Sequence, residues 1–170
     1  MTPGGAFNID SLLDEQIYQL GQRNIQLTKR ATIDRDTTEA VLVPSPAEWK
    51  SELETFRQLG MINKDLYRDQ YHREGPLRDF RSNLQILRYV ASSAPLTSFS
   101  IYYRDNLNKM KRLEGIVTET NQLYSAHRTL VMEFDEIHDQ LLLSSFQIKG
   151  YQKVALRDTV HLAIVGTIHW

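Results

Sequence analysis

The stretch from Ser98 to Lys149 most constrains this fold, because its apolar residues recur at heptad spacing and no proline interrupts it. One column of the heptad consists of Leu113, Thr120, His127, Phe134 and Leu141, and the next consists of Ile116, Leu123, Leu130 and Ile137. Side chains at these spacings share one face of an α-helix. The pattern therefore predicts a single helix over residues 98–149, about 50 residues and roughly 75 Å long.

The clearest local helix start is Ser45-Pro46-Ala47-Glu48. Ser45 is predicted to cap, Pro46 to take the first helical position and Glu48 to close a capping box. Helices are expected over approximately residues 8–29, 46–60, 63–73 and 77–92. Residues 32–44 are expected to form an extended connector, with one short strand as the alternative.

The expected fold class is therefore mainly α, an elongated helical bundle or helical hairpin built on the long helix. A short strand near the C-terminus is also compatible with the sequence. Two parts are expected: residues 1–44, with an N-terminal helix and connector, and residues 45–170, a helical domain with the long helix 98–149 and an apolar tail.

The tail from Val160 to Trp170 is apolar and rich in β-branched residues, so it is expected to be packed against something. It is predicted to dock onto the long helix near Leu141 or onto a partner, as a strand or as a helical turn.

Composition excludes several classes of site. The 170 residues include no cysteine, which removes disulfides, thiolate metal sites and a cysteine nucleophile. The net charge of −1 gives no bulk signature of nucleic-acid binding. The opening residues show no secretory signal, and no apolar run is long enough to span a bilayer. An intracellular protein is expected, in the cytoplasm or an organelle.

Histidines and aspartates supply the only candidate chemistry. Three pairs are spaced as Asp-x-x-His: Asp69 with His72, Asp135 with His138, and Asp158 with His161. On helices such pairs share a face, and helical-bundle metal sites use glutamate at that spacing. His127 is interpreted as a hydrogen-bonded histidine in the helical core. No Ser-His-Asp order or glycine-rich phosphate loop is present, so neither an enzyme, a metal nor a cofactor is expected.

The function expected from these features is a non-catalytic helical scaffold or accessory subunit of a multiprotein assembly. Its partners would be other protein subunits or further copies of the chain. The alternatives are a helical-bundle metalloprotein that uses the Asp-x-x-His pairs and a self-assembling helical structural protein. The residues expected to form the interface are Leu113, Ile116, Leu123, Leu130, Phe134, Ile137, Leu141, Leu162, Ile164 and Trp170.

Overall fold

The computed structural model describes residues 7–170, so residues 1–6 of the expected segment 1–44 lie outside it. Nine strands form one antiparallel sheet with the order β2-β1-β9-β8-β7-β6-β5-β4-β3. Their bounds are β1 Gln26–Ile33, β2 Asp36–Leu42, β3 His72–Arg78, β4 Gln85–Val90, β5 Leu96–Tyr103, β6 Met110–Thr120, β7 Tyr124–Ile137, β8 Gln140–Val154 and β9 Val160–His169.

Helical segments cover one face of the sheet, which we call the inner face. They are α1 (Ile9–Gly21), α2 (Pro46–Leu53) and a 3₁₀ segment (Glu54–Asn63), and there are two further single 3₁₀ turns, Arg68–Gln70 and Leu107–Lys109. The capping box predicted at Ser45 is confirmed, since Glu48 N donates to Ser45 Oγ and Ser45 N donates to the Glu48 carboxylate.

The mainly α fold class, with its long helix over residues 98–149, is wrong. That stretch contains most of β5, all of β6 and β7, and the first part of β8. The longest α-helix within residues 7–170 is α1, with 13 residues. The physical reason is visible in β7, where Leu130, Met132 and Phe134 alternate onto the buried inner face. The all-α, coiled-coil and helical-bundle descriptions are therefore wrong as well.

Turn residues within the stretch from Ser98 to Lys149 also oppose a helix. His138 and Asp139 both have positive φ, 51° and 60°. They connect Ile137 to Gln140, which form the closing pair of the β7–β8 hairpin. Consecutive positive φ values are typical of the tight hairpin turns that match strand twist. The helices predicted over 63–73 and 77–92 are wrong too, because residues 63–73 contain the single 3₁₀ turn Arg68–Gln70 and the start of β3, and residues 77–92 contain the end of β3 and all of β4.

The core lies between the inner face and the helical segments. Trp49 and Phe56 are fully buried there, and Phe56 meets Phe146 of β8 edge-on at 5.9 Å between ring centroids. Gly115 of β6 allows the closest approach, because a Cβ at this position would overlap the Leu59 side chain. The helical segments therefore pack directly onto the central strands.

One buried polar side chain joins α1 to β8. Gln16 is 1% exposed; its Nε2 donates to Leu141 O at 2.9 Å and its Oε1 accepts from Leu143 N at 2.8 Å. The β7–β8 register shifts just beyond this point, where Phe134 pairs with Leu143 and Glu133 pairs with Ser145. Gln16 thus satisfies backbone groups next to a bulge, where ladder pairing is locally disrupted.

Candidate functional site

The uncovered face of the sheet, which we call the outer face, carries an exposed aromatic residue near the β8–β9 turn. Tyr151 of β8 is 41% exposed, and the strand register places His127 of β7 on one side of it and His161 of β9 on the other. The Tyr151 ring stacks with that of His127 at 5.8 Å between centroids and 17° between planes. The His161 ring lies 6.2 Å from it at 53°.

Two lysines complete this arrangement. Lys149 and Lys153 stand two residues before and after Tyr151 on the same strand, so they share its face. Both are exposed, and neither forms an ion pair with a carboxylate of residues 7–170. A tyrosine at the centre of four basic side chains results. We call these five residues the Tyr151 cluster: His127, Lys149, Tyr151, Lys153 and His161.

An open cavity of about 390 Å³ lies against this cluster, and four of the five residues line it; Lys153 does not. Thr32, Thr129 and Asp34 belong to the same lining. Asp34 Oδ1 accepts a hydrogen bond from His161 N at 2.9 Å, and Asp34 N donates to His161 O. This carboxylate therefore holds the β1–β2 turn against β9.

The two edges of the sheet differ. β2 pairs with β1 over seven consecutive residues without a register shift, and its other side is unpaired within residues 7–170. β3, at the opposite edge, has a register shift between Glu74 and Leu77 and contains Pro76, which lacks an N–H. β2 is thus a regular free edge, whereas β3 is irregular.

The residues predicted for an interface are distributed over both faces and the turns. Leu113, Leu130 and Phe134 are buried in the inner core, where the chain's own helical segments cover them. The remaining seven lie at different depths, with Leu141, Ile164 and Trp170 packed against the core, Ile116, Ile137 and Leu162 partly buried, and Leu123 69% exposed in the β6–β7 turn.

The tail from Val160 to Trp170 forms β9, between β1 and β8, and ends at Trp170. The Trp170 indole Nε1 donates to Leu143 O at 2.8 Å. The docking observed is therefore within the chain and by strand pairing, one of the two conformations expected for this segment.

The Asp-x-x-His pairs lose their shared face outside a helix, because residues three apart on a strand point to opposite sides. Asp135 and His138 span the end of β7 and its turn, and Asp158 precedes β9. Within residues 7–170, no three histidine or acidic side chains converge as a metal site would require. The core position predicted for His127 also depended on the helix. Its ring is half-buried on the outer face, with Nδ1 3.4 Å from Thr118 Oγ1.

Sequence reasoning missed the lysines and the tyrosine of the cluster. The alternation Lys149-x-Tyr151-x-Lys153 is the signal that could have found them, because alternate residues of a strand share a face. Within residues 7–170, no helix has both the length and the apolar character needed to cross a membrane. Comparison of the chain with protein-family models, with curated proteins and with solved structures finds no match.

Proposed function

We propose that this chain is a non-catalytic subunit of a protein assembly and that it assembles by strand pairing along β2. The observation that carries the proposal is the free edge of β2. A strand at the edge of a sheet presents unpaired N–H and C=O groups that another strand can join.

The β2 edge has the properties of an accepting strand. Its residues from Asp36 to Val41 are all exposed, and Val41 and Val43 are 60% and 55% exposed. It contains no proline, lysine or bulge, which are the features that usually block edge pairing. The β3 edge has two of them, since Pro76 and the register shift interrupt its ladder.

The partner that β2 itself fits is a second copy of the chain. Antiparallel pairing about Ala40 would place Glu39 opposite Val41 of the second copy and Thr38 opposite Leu42. No like charges face each other in this register, and the small Ala40 side chains meet at the two-fold axis. The exposed face of Val41 would then be covered by the second copy.

The histidine environments support a non-catalytic role. Within residues 7–170, the side-chain hydrogen bonds of histidine rings are to threonine hydroxyls, Thr28 for His169 and Thr118 for His127. A histidine that acts as a base for a nucleophile is normally oriented by a carboxylate or amide on its other nitrogen. No ring in this part of the chain has a carboxylate as a hydrogen-bond partner.

Sedimentation velocity over a wide concentration range tests the proposal. The wild-type chain is expected to show a concentration-dependent dimer. Ala40→Asp and Ala40→Lys should each weaken it at least severalfold, because each puts like charges opposite one another about 5 Å apart. An equimolar mixture of the two variants should restore the dimer, since opposite charges then meet.

Ala47→Asp is the matched control, because Ala47 is also an exposed alanine and lies on α2. It should leave the dimer unchanged. A wild-type chain that stays monomeric at every concentration would contradict the self-pairing. A dimer that Ala40→Asp does not weaken would place the interface elsewhere.

A further inference from the structure

We propose that the Tyr151 cluster binds a ligand that combines a planar aromatic ring with a phosphate group, as a nucleotide does. This site is separate from the β2 edge, and it does not depend on the function proposed above. The inference rests on three features of the outer face: an exposed aromatic ring, a local excess of basic side chains, and a cavity of suitable size.

The first feature is the ring. Tyr151 is 41% exposed although it lies within an interior strand. Because His127 already stacks on this ring, the ring of a ligand would extend the row that Tyr151 forms with His127 and His161. An exposed aromatic side chain on a sheet is the element on which single-stranded nucleic-acid-binding proteins stack bases, and any base can use it because every base has a π-face.

The second feature is charge. Lys149 and Lys153 are without a carboxylate partner in residues 7–170, whereas two other outer-face cations, Arg30 and Arg112, are paired with Glu39 and with Glu114 and Glu133. Unpaired positive charge is therefore left next to the tyrosine. An aromatic ring beside unpaired cations matches a ligand with both a π-face and an anionic group.

The single carboxylate in the cavity lining does not prevent the binding of an anionic group. Asp34 is that residue, and one of its oxygens already accepts the His161 backbone N–H. Thr129, also in the lining, adds a hydroxyl donor for phosphate or ribose oxygens, whereas the Thr32 hydroxyl is hydrogen-bonded to that of Thr37. The overall charge of −1 sums the whole chain and so does not reveal a basic cluster of this size.

The third feature is size. A cavity of about 390 Å³ is at the lower end of small-ligand sites, which suits one ring with one phosphate. Because the cavity is open on the sheet surface, the ligand can be a free mononucleotide or one nucleotide within a single strand. In both cases the cluster contacts an aromatic base and a phosphate group.

Isothermal titration with adenosine monophosphate tests the site, with adenosine and ribose 5-phosphate as truncated probes. Adenosine monophosphate should bind at least tenfold more tightly than either probe, because each probe lacks one of the two recognised groups. Tyr151→Leu should weaken this binding about tenfold or more, and Tyr151→Phe should preserve it, since stacking needs the ring and not the hydroxyl.

Charge variants provide the second arm. Lys149→Gln should weaken binding severalfold and reduce its dependence on salt, because it removes one contact with the phosphate. Lys153→Gln should weaken binding less, because Lys153 lies outside the cavity lining and acts only through its charge. Lys50→Gln, at an exposed lysine of α2, is the matched control and should change nothing. Circular dichroism and melting temperature identify any variant that fails to fold.

A short single-stranded oligoadenylate distinguishes the two sources. Tighter binding than the mononucleotide, with a steep salt dependence, assigns the site to single-stranded nucleic acid, whereas equal binding assigns it to the free nucleotide. Absence of binding by both adenosine monophosphate and the oligoadenylate would overturn the proposal. So would binding that Tyr151→Leu leaves unchanged, or ribose 5-phosphate binding as tightly as adenosine monophosphate.

Discussion

Replacement of Gln16 by leucine tests how α1 is joined to the sheet. The glutamine and leucine side chains have similar size, but leucine cannot form the hydrogen bonds to Leu141 O and Leu143 N. A buried backbone group left without a partner costs about 1–3 kcal/mol. Two such groups, offset by about 1 kcal/mol from the added apolar contact, give an expected loss of roughly 1–5 kcal/mol of unfolding free energy.

Urea denaturation followed by tryptophan fluorescence measures this loss, which should lower the midpoint by about 0.5 M or more at a typical slope of roughly 2 kcal/mol/M. Gln19→Leu is the matched control on the same helix. Gln19 Nε2 donates to Glu15 at an exposed site, so its replacement should change the free energy by less than about 0.5 kcal/mol. A Gln16→Leu variant as stable as the control would refute the role of Gln16 in satisfying β8.

Two further predictions concern the core and the response to pH. Gly115→Ala should cost about 1–3 kcal/mol in a thermal melt, because its Cβ would overlap the buried Leu59 side chain; adding Leu59→Ala should make the two effects non-additive. Burial raises the pKa of Tyr71 to about 12, so stability should fall between pH 10 and 12, where the unfolded chain loses this proton and the folded chain keeps it. Tyr71→Phe should remove that part of the pH dependence, and an unchanged profile would contradict this assignment.

Features that depend on one short segment of the sequence were predicted correctly. The capping box at Ser45 needs only four residues, and it was predicted in full. The start of the first helix near residue 8 was also predicted, and in the structure the Asn8 side chain caps it by accepting from Ser11 N. The predicted end near residue 29 lies about eight residues beyond the observed end at Gly21. The reason is that β1, which begins at Gln26, carries apolar residues at spacings that also suit a helix.

The long helix was predicted wrongly for two physical reasons. In β7, three consecutive residues, Leu130, Val131 and Met132, are buried, which hides the alternation of a strand. In β8, the register shift near Ser144 changes which residues face inward, from Leu143 to Phe146 and then Ile148. Bulges of this kind replace a strict period of two with a spacing of three, and such spacings resemble a helical stripe.

The Tyr151 cluster could be predicted only in part. Its β8 members follow from alternation along one strand, as described above. The histidines on either side come from β7 and β9, and they are brought to Tyr151 by strand register. Register depends on hairpin geometry and on the buried pattern of the whole sheet.

Separation of the two faces makes both proposals testable by substitution. The inner face packs against the helical segments, where Trp49, Phe56 and Leu130 are fully buried. Ala40, on β2, and Lys149 are exposed and lie outside that core. Exposed substitutions away from special backbone features usually change stability by less than about 0.5 kcal/mol. If such a variant loses association or ligand binding while its unfolding free energy is unchanged, the substituted surface residue itself takes part in that interaction.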